Sequence, residues 1–237
     1  MSTRHASRPA DLHRRARRRT PPGSATALAL ALLLVLVATP TGVALAATQE
    51  DHTQFSVLAG SLSFSSAPAL PSLGSVSLTG QAQTTNSTMT SFAVADATGS
   101  GSGWNVAVEG QSGTGKSAVF AQYCPKAKCG GESEGYVAGG QTLAANSLTL
   151  NSTGASFSAQ SGTTGTPPTL QCSTSCDVDH GTPTKIASAA SGAGMGTWLA
   201  SGFSATSLAL STPSTLRLLP SEEIYRVNLL WTLSTGP

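Results

Sequence analysis

The stretch "EIYRVNLLWTLS", Glu223 to Ser234, alternates from end to end: Tyr225, Val227, Leu229, Trp231 and Leu233 fall on one side, and Arg226, Asn228, Leu230 and Thr232 on the other. An apolar residue at every second position is the period of a strand with one buried face. The same grammar recurs upstream. In "GWNVAVEG", Gly103 to Gly110, it aligns Trp104, Val106 and Val108 against Asn105, Ala107 and Glu109. Shorter runs of the same kind are "FSVLA" from Phe55, "SLSFS" from Ser61, "SVSLTG" from Ser75, "MTSFAVAD" from Met89, "NSLTLN" from Asn146, "ASFSAQ" from Ala155 and "ATSLALS" from Ala205. Separated by Gly, Ser and Thr and almost free of helical periodicity, they predict an all-β chain, an antiparallel β-sandwich-like single domain with long Gly/Ser-rich loops. Two irregular segments, 110–146 and 160–182, read as such loops.

The N-terminus predicts export. Seven arginines (Arg4, Arg8, Arg14, Arg15, Arg17, Arg18 and Arg19) precede an apolar run from Ala25 to Ala38, and Pro40, Gly42 and "ALA" at 44–46 follow it. A basic segment, a short apolar core and a small-x-small site make a secretory signal peptide over residues 1–46, leaving 47–237 as the working domain. The apolar run is short for a bilayer span. No second apolar segment of membrane length and no "LPxTG" sorting signal follow, so the reading is a secreted protein at the extracellular surface, without a membrane anchor after cleavage. Residues 47–237 keep six basic against ten acidic side chains, a net of −4. That balance offers no footprint for nucleic acid or anionic lipid.

Cys124, Cys129, Cys172 and Cys176 all lie in the exported part. Their spacings would also suit a four-thiolate zinc site, but an even count in an oxidising compartment favours disulfides, with three connectivities open. No metal and no cofactor are expected.

Enzymatic chemistry is poorly provided for. The run from Gly110 through Gly115 and Lys116 to Ser117 spells G-x-x-x-x-G-K-[ST], the phosphate loop of nucleotide-binding proteins. Such a loop needs a parallel strand before it and a helix after it. Here Pro125 leaves room for barely two helical turns, and an antiparallel domain has no crossover helices. "CDVDHG" sets Asp177 and Asp179 beside His180 without a nucleophile elbow, and reads as a solvated turn next to a disulfide. The acid pairs Glu132/Glu134 and Glu222/Glu223 read as solvated. The chain is therefore read as a non-enzyme.

Two segments resemble a known family. "FAVADATGSGSGWNVAVEG" (Phe92–Gly110) is similar to the first signature of the WxL surface-domain family of Gram-positive bacteria, in which an Asp-containing turn and a Gly-x-Gly-Trp step lead into a Trp strand. "YRVNLLWTLSTGP" (Tyr225–Pro237) is similar to the second, and the Gly-rich "GAGMGTWLASG" approach extends the likeness across most of residues 52–237. The first motif departs from the pattern in carrying Val106 where the family has leucine. The resemblance implies noncovalent attachment to cell-wall peptidoglycan, commonly together with other cell-surface proteins. It implies binding positions at Trp104, Val106, Trp231 and Leu233. The same period-2 spacing would serve a sandwich core, and both roles stay open. Glycan recognition calls for an exposed aromatic face, for which Trp198 is the leading candidate, with Tyr123 and Tyr136 behind it. A structural or adhesive subunit that binds no glycan is the alternative, and a nucleotide-binding protein the third reading.

Overall fold

The structure, a computed structural model, describes residues 52–125, 129, 133–220 and 222–237. The leader read at 1–46 lies outside these residues, as does Glu132. The compact unit runs from Gln54 to Pro237. Among the described residues every regular element is a strand, and every pairing is antiparallel.

The first sheet orders β1 (Leu62–Ser66), β3 (Phe92–Asp96), β12 (Gly196–Ser201) and β8 (Ser156–Ala159). A second orders β15 (Leu229–Thr235), β4 (Trp104–Gly110), β11 (Thr184–Ala189) and β9 (Thr169–Leu170). Their edges meet, with β1 beside β15 and β8 beside β9. Between them Phe92, Val94, Trp104, Val106, Val108 and Ala200 are buried. Aromatic contacts tie the layers: Phe157 of β8 meets Trp104 edge-on at 5.9 Å between ring centres and Phe92 at 6.0 Å. A third sheet, β10 (Cys176–Asp177), β7 (Leu148–Leu150), β13 (Leu208–Thr212) and β2 (Gln83–Ser87), adds Leu148, Leu150, Leu208 and Leu210 to the same core. A small fourth sheet holds β14 (Ile224–Arg226), β5 (Ala121–Cys124) and β6 (Gly135–Tyr136). The all-β, sandwich-like architecture expected from the alternation is the one observed.

Local departures from the expectation have physical causes. The C-terminal alternation is two strands: β14 pairs with β5, and β15 with β4. The chain changes sheets at Val227-Asn228, where Asn228 donates its N–H to Ser117 O (2.8 Å) and accepts from Gln111 N–H (2.8 Å). Because the inward face does not change at the crossing, the sequence pattern runs straight through it. "FSVLA" forms no strand. It is an exposed arm, with Phe55 92% and Leu58 91% accessible, since no neighbouring strand supplies the hydrogen bonds a sheet requires. "SVSLTG" is likewise unpaired. The two stretches read as loops contain β5 and β6, and β9 and β10, strands of two to four residues that are too short to show a period.

The cysteines form two local bridges, Cys124–Cys129 and Cys172–Cys176. Each staples one of those irregular segments, and neither links the two. The nucleotide-loop letters fold as a tight turn, Lys116 N–H donating to Gly113 O at 3.0 Å, and lead into β5 with no helix between.

Candidate functional site

The two signature strands, far apart in sequence, are neighbours in space. β4 and β15 pair along their full lengths, Trp104 opposite Thr235, Val106 opposite Leu233, and Val108 opposite Trp231. Directly opposed residues share a face, so Trp104, Val106, Trp231 and Leu233 all point to the same side of one sheet. That side is the core.

Trp104 is fully buried, and its indole N–H donates to Gly194 O at 3.1 Å. Gly194 has φ +73°, and a Cβ there would sit 2.4 Å from Ala189 Cβ and 2.7 Å from the Trp104 nitrogen. Only glycine lets the backbone approach the indole this closely. The Asp-containing turn sets up the strand. Asp96 Oδ1 accepts from Thr98 N–H (3.0 Å) and Thr98 Oγ1 (2.7 Å). Gly103, at φ +75°, then passes within a Cβ's reach of Ala189 O, which such an atom would approach to 2.3 Å. Val106 is buried beside Trp104, while Trp231 and Leu233 are half-buried against the same core. Valine in place of leucine at 106 faces Leu233 across the pair, so both positions remain core aliphatics.

Trp198 corrects its expectation as an exposed platform. It is only 4% accessible, lies in β12 between β3 and β8, and donates its indole N–H to Met195 O at 3.0 Å. Its register partner is Val94, and with Ala200 it occupies the inward side of the strand. Glycines on both flanks made a core strand look like loop. Tyr123 and Tyr136 come together in the small sheet, rings 5.0 Å apart, and the Arg226 guanidinium covers the Tyr123 ring at 4.4 Å. Burial raises the Tyr136 phenol above its ordinary range.

The acidic residues near His180 also have structural tasks. Asp179 is fully buried and accepts the Leu148 N–H at Oδ1 (2.9 Å) and the Ser147 N–H at Oδ2 (3.1 Å). Desolvation raises its carboxyl above the usual range even against these two donors. His180 Nδ1 accepts from Thr182 N–H and its Nε2 lies 3.2 Å from Thr184 Oγ1. Among the described residues no three His, Cys, Asp or Glu side chains converge as metal ligands.

What sequence reasoning missed is the other side of the signature sheet. β15 turns Thr232 and Ser234 outward, β4 Asn105 and Glu109, β11 Lys185 and Ser188, and β9 Thr169. The result is a ledge four strands wide, with Thr232, Ser234, Lys185 and Thr169 exposed, Asn105, Glu109 and Ser188 half-buried, and Ala107 and the exposed Leu230 as its apolar members. Part of it is held in place: Asn105 Nδ2 donates to Gly236 O (2.9 Å), and Gln171 Nε2 to Ser188 Oγ (2.9 Å) and Thr169 Oγ1 (3.0 Å). The same alternation that marks the tryptophans as inward marks these polar residues as outward, but no sequence pattern shows that β4, β11 and β15 lie side by side.

Comparison with curated proteins and with solved structures finds no match to this chain. Comparison with family models does: the WxL domain surface cell wall-binding family matches residues 59–237, which takes in both signature strands and the whole paired sheet between them, and the chain belongs to that family.

Proposed function

We propose that the protein attaches noncovalently to cell-wall peptidoglycan through the outer ledge of the signature sheet. The observation that carries this reading is the division of labour in β4 and β15. Their tryptophan sides face the core, with Trp104 fully and Trp231 partly buried, and their outward sides, polar except for Ala107 and Leu230, form the array. Neighbouring strands repeat at about 4.8 Å, which offers a sugar polymer a regular grid of donors and acceptors. In this reading Trp104, Val106, Trp231 and Leu233 hold the grid flat from beneath and do not touch the glycan. The chain acts as a binding module with no reaction of its own, and export through the leader at 1–46 would deliver it to the wall.

The test is cosedimentation of protein, expressed from the full chain and purified in its processed form, with protein-free peptidoglycan sacculi. Wild type should pellet. Thr232→Glu/Ser234→Glu, which alters two exposed side chains of β15, should bind at least tenfold more weakly with its melting temperature unchanged. A well-folded wild type that stays in the supernatant would refute the proposal, and equal binding by the double variant would move the contact to another face.

A further inference from the structure

A cleft of about 990 Å³ lies open at one end of the domain, its apolar wall made by Leu73, Val76, Leu216, Tyr225, Leu229 and Trp231. Its rim carries Leu218, 86% accessible, and Ile224, half-exposed. The only two arginines in residues 47–237, Arg217 and Arg226, also line it. β14, which contributes three of the lining residues, is an edge strand of its sheet. A second uncovered apolar surface is the arm before β1, where Phe55, Val57 and Leu58 stand in solvent. In the sequence, Glu50 and Asp51 come just before the arm. The cleft also holds Glu223, which accepts from Gln122 Nε2, so its two arginines outnumber its one acid, and an extended apolar segment behind two acids matches it and its free strand edge.

The arm cannot fill its own cleft. Gly60 is pinned by its N–H to Ala97 O at 2.8 Å, just past the end of β3 and at the end of the sandwich where β4 begins with Trp104. The cleft opens at the other end of β4, where Leu229 faces Gly110. Seven strand residues separate the two ends, about 20 Å. Leu58, two residues from the pin, reaches about 7 Å and Phe55 about 17 Å, both short of that separation, and in the structure Phe55, Val57 and Leu58 stand in solvent.

We propose that the chain assembles head to tail, the arm of one copy lying along β14 of the next with Phe55, Val57 and Leu58 against the cleft. Different surfaces meet at such a joint, so it repeats from copy to copy into a chain or ring and does not stop at a two-fold dimer. This association is independent of wall binding and can be tested without sacculi. Sedimentation velocity of the processed protein over a hundredfold concentration range should show species that lengthen as concentration rises. Phe55→Ser/Leu58→Ser and Arg217→Glu/Leu218→Glu change exposed side chains only, and each variant alone should remain monomeric with an unchanged melting temperature. Mixed one to one, they should form dimers and nothing larger, because one supplies an intact cleft and the other an intact arm. Wild type that stays monomeric throughout, an arm variant that associates like wild type, or a mixture without dimers would each overturn the proposal.

Discussion

At Gly194 a missing side chain does structural work: the carbonyl that receives the Trp104 indole N–H lies on a residue with no space for a Cβ. Gly194→Ala should therefore destabilise the domain by about 2–4 kcal/mol, combining left-handed strain with a core clash, and urea unfolding would measure it. Asp179 gives a pH signature. Its carboxyl is raised by burial, so the stability it contributes is full below the ordinary carboxylate pKa of about 3.9 and is lost as pH rises through the higher folded value. Asn at this position cannot ionise. The stability of Asp179→Asn relative to wild type should accordingly increase between pH 3.5 and 7 in urea titrations at stepped pH. A constant difference would mean that the folded carboxyl titrates normally. Individual residues were unevenly legible. Trp104 and Val106 announced their inward side through plain alternation, whereas Trp198 sits in a strand bounded by Gly194, Gly196 and Gly202 and took on the look of its neighbours.

Among the elements, β4 and β15 were plain in sequence because one apolar face alternates along them, whereas the six-residue β11 was not read as a strand, a bulge between Lys185 and Ala187 breaking its alternation. Other strands were hidden for other reasons. β2, "QTTNS", is an edge strand without an apolar residue, and β9 and β10 have two residues each. The ledge was hidden for a further reason, since it depends on which strands become neighbours and long-range pairing leaves no local trace. The bridges belong to this scale as well. Each closes a loop with cysteines only five or four positions apart, so each restricts the unfolded chain modestly, by about 2 kcal/mol. Reduction with dithiothreitol should lower the unfolding free energy by roughly 2–4 kcal/mol while the far-ultraviolet circular dichroism of the sheets persists. Collapse of the sheet signal would show that the bridges hold layers together and not merely local loops.

For the whole molecule, charge sets the kind of adhesion available. A domain with a net of −4 over residues 47–237 gains nothing from long-range attraction to an anionic wall, so in the proposed attachment hydrogen bonds on the ledge would carry the contact. Sacculus binding should change less than twofold between 0.15 and 1 M NaCl, and a steep fall with salt would point instead to Lys185 and its neighbours as ionic anchors. If copies also join head to tail, many weak ledges would act on one polymer and hold it by avidity. One more consequence concerns timing. One of the two partners of β4 is β15, the last strand among the described residues, and Asn105 waits for Gly236, 131 positions later. Until that segment emerges, one flank of the Trp104 strand stays open and the sandwich cannot close. Pairing across such a separation is slow, so on the proposed export route the chain would remain threadable until β15 had arrived. The strand that carries Trp231 thus also times folding, and on the proposed export route it would delay closure until the domain had crossed.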